Sequence, residues 1–414
     1  MESNTDSAPE EENTSTPNLE PRLDSVCREP ASTLHEAACL HQDGVGYPAV
    51  SPEREAAVAA PAPGLEEDQA PQARRGLPPP VPPKVPSLDE LSNDDFVPSE
   101  LPAVVLSSQQ EPEGVMSLSA IRTLVVQRRI HTALKHLTDL SNFEDKAEAR
   151  LLRLRCLVAM RRYAEAAEEC KQMGSEAASF EVRFFLAQLP WLLHADAYQS
   201  MLQLKALAQS WSSKGGESWE DRLELLQVLS HLSLAVGHGR MAAAELQRAV
   251  SEATDSAGRQ LWSLLGRHHL SGGNLTAADA AFEKAKTYTG QDATVLLNSG
   301  FRAMAMGEFQ AARDAFETAA ADDTEGARLQ EILAAENNLA VCKFYTKDLR
   351  GACERLKALV TKDPVRFLKP CLLQNLTSLY EFSQDAAGLR KALRDLAGAA
   401  QLEDLEPRLF QAPT

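Results

Sequence analysis

Residues 262 to 285 read WSLLGRHHLSGGNLTAADAAFEKA, and this stretch decides the fold. Trp262, Leu265 and Gly266 stand at helical spacing, Gly273 closes that helix, and Leu275, Ala278, Phe282 and Ala285 mark a second one. Apolar residues at three- and four-residue intervals on both sides of a glycine turn describe two amphipathic helices folded back on each other. Gly266, small and early in the first helix, lets the backbones approach, and Phe282 on the second fills the space beside it. The spacing returns 34 residues on as Gly300, Gly307, Phe309, Ala312, Phe316 and Ala319. A third copy follows as Leu339, Ala340, Leu349, Ala352, Leu356, Leu359 and Pro364, where proline ends the second helix because it cannot continue it.

A helical hairpin of this length and pattern is the tetratricopeptide repeat. One such hairpin cannot bury its apolar face alone, so neighbours must stack on it and at least three are normally needed. The expected fold is all-α: a tetratricopeptide-type α-solenoid, a right-handed superhelix of helical hairpins over residues 114–414, clearest over about 259–364. Weaker copies extend it toward the N-terminus: Leu226, Leu229, Gly237, Ala242, Leu246 and Ala249; Leu154, Leu157, Tyr163, Ala166 and Cys170; Ile121, Leu124, Ile130, Ala133 and Leu137. Residues 180–219 read as helix with a kink or break at Pro190 and fit no repeat register. Helices around Cys371–Phe382 and Leu389–Leu396, within residues 365–400, are expected to cap the stack.

Composition changes near residue 113. Before it the chain is rich in Glu, Pro, Ser and Ala and poor in aromatics, with too little apolar surface to offset chain entropy, so residues 1–113 are expected to be a disordered acidic tail. Within it, Pro79, Pro82 and Lys84 satisfy the loose P-x-x-P-x-K pattern of an SH3 ligand, a pattern also met by Pro-rich spacers. A short element at 93–100 carries the compact apolar cluster Phe96, Val97 and Pro98, suited to docking on a helix or partner, or else is a plain linker, since isolated exposed apolar residues are normal.

The net charge of -17 and the pI near 5.1 argue against a nucleic-acid partner, which would need a concentrated basic footprint. No apolar run approaches the roughly 20 residues of a membrane span, and the first thirty residues are acidic where a secretory signal starts basic, so a cytosolic chain without a transmembrane segment is expected. The cysteines (Cys27, Cys39, Cys156, Cys170, Cys342, Cys353, Cys371) are odd in number and lack C-x-x-C spacing, and read as reduced packing residues. No phosphate-binding glycine loop appears, and the adjacent His268 and His269 point in different directions on a helix and cannot jointly clasp a metal. The pairs Glu168 with Glu169 and Asp322 with Asp323 read as solvated faces or turns. No catalytic residue, metal or cofactor is expected.

The segment from Trp262 to Leu396, above all NNLAVC at 337–342 and NLTSLYE at 375–381, closely resembles the C-terminal repeats of the subunit-twelve family of the transport protein particle, the TRAPP complex. The element NDDFVPSE at 93–100 resembles a short Asp–aromatic–apolar–Pro element that precedes the helices in that family. The resemblance implies a helical accessory subunit of a TRAPP III assembly whose core, elsewhere in the complex, activates a Rab-family GTPase by nucleotide exchange. It further implies contact with other TRAPP subunits and with outer vesicle-coat proteins, in endoplasmic reticulum to Golgi transport and autophagy.

One feature of the repeats bears on partner binding. Asn298, Asn338 and Asn375 stand one or two residues before the small-residue position in three successive first helices. Such helices line the concave face of a superhelix, where an amide ladder would suit the backbone of an extended peptide; alternatively each amide is satisfied within the stack. A different reading, a co-chaperone gripping a carboxyl terminus, needs Lys or Arg converging with Asn on first helices. The Asn are present without a convincing basic set.

Overall fold

The computed structural model describes residues 116–140, 143–173, 179–211, 218–253, 255–288, 293–321 and 329–411. The expected tail and its Phe96, Val97 and Pro98 lie outside them. Among the described residues every regular element is helical. In chain order they are α1 (Leu118–Val126), α2 (Ile130–His136), α3 (Lys146–Ala159), α4 (Tyr163–Met173), α5 (Phe180–His194) and α6 (Ala197–Ser210). Next come α7 (Trp219–Ala235), α8 (Gly239–Glu252), α9 (Asp255–Ser271), α10 (Leu275–Lys286), α11 (Ala293–Ala305) and α12 (Phe309–Ala321). The series closes with α13 (Leu329–Tyr345), α14 (Leu349–Lys362), the single turn α15 (Pro364–Phe367), α16 (Pro370–Tyr380), α17 (Ala386–Ala399) and a 3-10 turn at Pro407–Phe410. Each helix packs on its neighbours in sequence, giving a stack of antiparallel hairpins of tetratricopeptide type.

Short polar residues set the helix starts. Asp145, Asp196, Asn274, Asp348 and Asp385 each accept, through the side chain, a backbone N–H from the first turn that follows, satisfying a donor the helix cannot. The hairpin turns share one geometry: the second residue after the first helix adopts a left-handed backbone. Gly237, Gly273 and Gly307 fill that place with φ of 77°, 73° and 76°, while Arg128, Arg161 and Lys347 take it at 62°, 57° and 65°. Pro364 stands at the first position of α15, capped by Asp363, so the proline that stops α14 also starts the next turn.

The repeat code is visible as close packing. A Cβ placed on Gly266 would lie 2.3 Å from the Phe282 ring, and one on Gly300 would lie 2.5 Å from the Phe316 ring. Each glycine is therefore required by the ring stacked over it. Leu265, Ala278, Ala312, Leu339, Ala340, Ala352 and Leu356 are buried beside them. Trp262 is half-buried against the α5–α10 core, and Phe309 is half-buried with its ring stacked on Tyr345 at 4.2 Å between centroids.

Of the kink or break expected at Pro190, the break does not occur: α5 runs through it. The reason is Ser200 of α6, which is fully buried, accepts the Trp191 N–H at 2.9 Å and donates to the Gln188 carbonyl at 3.2 Å. A neighbouring hydroxyl thus ties the backbone on either side of the proline to α6, while the carbonyl whose helical donor the proline removes is that of Leu186. A departure from expectation is that α16 and α17 do not simply cap an open end. The segment after α17 reaches the first hairpin, where the Glu403 N–H donates to the Arg128 carbonyl at 3.1 Å, so the run of packed helices closes on itself.

Candidate functional site

The asparagines singled out from the sequence lie on α11, α13 and α16, and the helix packing decides what each amide meets. Asn298, 3% exposed, donates from Nδ2 to the Ser263 hydroxyl of α9 at 2.9 Å. Asn375 donates to Oδ1 of Asn337 at 2.8 Å. Asn338 turns back to the Ala334 carbonyl of its own helix at 2.7 Å. The structure therefore links Ser263 with Asn298 and Asn337 with Asn375, each pair bridging consecutive first helices, and leaves Asn338 outside both pairs. Asn337, one residue from the position taken from sequence, is the partner that reading missed. Its burial at 8% exposure, on the face turned toward α16, is the signal a hydrophobic-face count could have found.

Replacing Asn375 by Ala is expected to cost roughly 1–3 kcal/mol, because it strips the buried Asn337 carbonyl of its donor. Urea unfolding of the variant checks this; unchanged stability would mean that the amide is free for a partner.

Beside Asn298 lies a cleft of about 340 Å³ between α10 and α11, lined by Asp279, Phe282, Glu283, Lys286, Val295, Asn298, Ser299 and Arg302. Arg302 donates to both oxygens of Asp279 at 2.5 and 3.1 Å, and Lys286 pairs with Glu283 at 2.6 Å, so the cleft's charges are already balanced in pairs. Oδ1 of Asn298 is buried there and accepts no hydrogen bond from the described residues. An uncharged acceptor between neutralised ion pairs suits a backbone N–H or water rather than an ion.

His268 forms a second polar clip between repeats. Its Nε2 lies 2.8 Å from the Gly239 carbonyl and its Nδ1 2.6 Å from the Ser230 hydroxyl. A carbonyl can only accept, so Nε2 carries a proton, and when the ring is neutral Nδ1 accepts from serine. Burial holds the pKa below the usual histidine value, partly opposed by the Gly239 carbonyl and reinforced by His269. With the folded value depressed, stability is complete above the unfolded pKa of about 6.5 and is lost as pH falls through the folded value. The melting temperature is expected to drop between pH 7 and 5, and His268→Gln to flatten that drop; an equally steep profile in the variant would contradict the assignment.

Cys156, Cys170, Cys342, Cys353 and Cys371 are buried and in no disulfide. Burial pushes Cys156, Cys342 and Cys353 up to about 12 and Cys170 to about 11, which disfavours the nucleophilic thiolate. Among the described residues no group of three or more His, Cys, Asp or Glu converges as metal ligands would, and no helix is long and apolar enough to cross a membrane.

In sequence the chain is similar to trafficking protein particle complex subunit 12. The human protein is 30% identical over 138 residues, which cover 32% of this chain and 18% of that protein. The mouse protein is 30% identical over 139 residues, covering 32% of this chain and 17% of that one. The match thus spans less than a fifth of the length of these relatives. No family model matches the chain. Among solved structures, the APC/C hetero-tetramer Cut9–Hcn1 aligns with a TM-score of 0.37 and 14% identity, covering 70% of this chain and 55% of that one. The C-terminal part of a tetratricopeptide-repeat protein from Cytophaga hutchinsonii aligns with a TM-score of 0.31 and 15% identity, covering 62% and 96%.

Proposed function

We propose that this chain is a non-catalytic scaffold subunit of a TRAPP complex. The observation that carries the reading is the sequence similarity to subunit 12 of the trafficking protein particle complex in two mammals. The character of the helical stack supports it. Buried polar side chains hold helices to one another, and the thiols of Cys156, Cys170, Cys342 and Cys353 are buried and hard to ionise. In this reading the chain works in the cytoplasm at the endoplasmic reticulum–Golgi interface, within a TRAPP III-like tether. It organises the subunits whose exchange activity acts on a Rab-family GTPase, and it contributes to secretory transport, autophagy and contact with the outer vesicle coat. Phe96, Val97 and Pro98 would serve as a short docking element ahead of the stack.

Affinity purification of the tagged protein followed by mass spectrometry tests the reading. Recovery of several TRAPP subunits is expected. A list dominated by heat-shock proteins, with no TRAPP member, would replace it by the co-chaperone reading.

A further inference from the structure

The ends of the stack meet through a ladder of ionic and hydrogen bonds. Arg128, 3% exposed in the turn between α1 and α2, donates from Nε to Oδ2 of Asp404 at 2.8 Å and from Nη1 to the carbonyls of Leu368 and Val365 at 2.9 and 3.3 Å. Thr132 donates from its N–H and its hydroxyl to the two oxygens of Glu403 at 2.9 and 2.8 Å. Arg161, in the turn between α3 and α4, pairs with Glu406 at 2.5 Å. Three carboxylates from one short segment thus engage the turn edge of the first two hairpins, and the Glu403 N–H adds a backbone bond.

Three features mark this joint. First, its described contacts are polar: the side chains of Arg128, Thr132 and Arg161 meet those of Asp404, Glu403 and Glu406. Leu402, Leu405 and Leu409 pack on the C-terminal cluster, so the leucines anchor the segment at home while its carboxylates reach across. Second, Arg128 and Arg161 occupy the left-handed turn position that glycine fills in three other hairpins and Lys347 in a fourth, a strained place for a side chain that bears a contact. Third, Oδ1 of Asp404 is buried with no hydrogen-bond partner, so the segment fills its seat incompletely.

We infer that Arg128, Thr132 and Arg161 form a docking site for an acidic extended peptide, filled in cis by Glu403, Asp404 and Glu406. In that state the site latches the stack into a ring, and an acidic segment of a partner can displace the latch. Opening breaks these ion pairs and hydrogen bonds. The inference is independent of the partner complex proposed above.

The test uses the full chain carrying E403Q, D404N and E406Q together, changes that keep the leucine anchors and side-chain shapes. Hydrogen exchange in peptides covering residues 128–133 is expected to accelerate, with exchange in α9–α14 unchanged. A labelled synthetic peptide of residues 401–411 is expected to bind this variant at least about tenfold more tightly than wild type, whose own segment competes at high effective concentration. Adding R128A and R161A is expected to abolish that binding, and salt to weaken it. Unaltered exchange at residues 128–133, an opened variant that ignores the peptide, or binding that survives loss of both arginines would each overturn the proposal. Should the triple variant misfold, E406Q alone and wild-type exchange at rising salt give the same reading, and no acceleration in either overturns it.

Discussion

Replacing Phe316 by alanine is expected to destabilise the protein by about 3–5 kcal/mol, the range for losing a buried phenylalanine. The ring is wholly buried, lies against Gly300 and meets Phe301 edge-on with centroids 5.4 Å apart. Its removal leaves a cavity that the stiff helices on either side cannot collapse to fill. Because each hairpin is stabilised by its neighbours, the loss should spread into α13 and appear as a lowered unfolding midpoint for the C-terminal half. Urea unfolding followed by circular dichroism reads this directly, and a variant that unfolds like wild type would refute the pairing of these residues.

Filling the other side of the same contact is expected to be nearly as harmful. Gly300→Val puts carbon where the Phe316 ring already lies, at 2.5 Å from the first added atom, and the ring has no free direction in which to move. Overpacking of this kind costs about 1–3 kcal/mol, with the larger side chain at the upper end. The two changes should couple: with Phe316 already reduced to alanine, valine at position 300 enters the vacated space. The double variant is then expected to be more stable than the sum of the single effects predicts, by at least about 0.5 kcal/mol. Additive losses would place the two residues apart.

That contact was legible in the sequence because a small residue and a large one at fixed spacing are a local signal. Elsewhere the packing is carried by pairs that no local spacing announces. In α5 and α6 a serine ten residues beyond Pro190 replaces the small-and-large code, which is why residues 180–219 fit no repeat register. At the following junction the Arg222 guanidinium lies 4.2 Å from the Trp211 ring centre and 5.0 Å from that of Trp219, again without repeat spacing. The amide row was out of register by one residue at α13: Asn337 bonds across to Asn375 of the next first helix, while Asn338 turns back on its own helix. Three hairpin turns were marked by glycine, whereas Arg128, Arg161 and Lys347 hold the same backbone conformation without the residue that would reveal it. Closure of the stack was beyond reach of pattern, since Arg128 and Asp404 are separated by 276 positions.

The central claim, that this chain works by being built into a TRAPP complex, is tested most directly by immunodepletion. A cell extract is passed over an antibody to a core TRAPP subunit, and the amount of this chain left behind is measured. The account predicts that the chain is depleted together with the core subunits and that, before depletion, it elutes from a sizing column far above its own mass of 45.1 kDa. A chain that stays in the extract at full amount while the core is removed would contradict it.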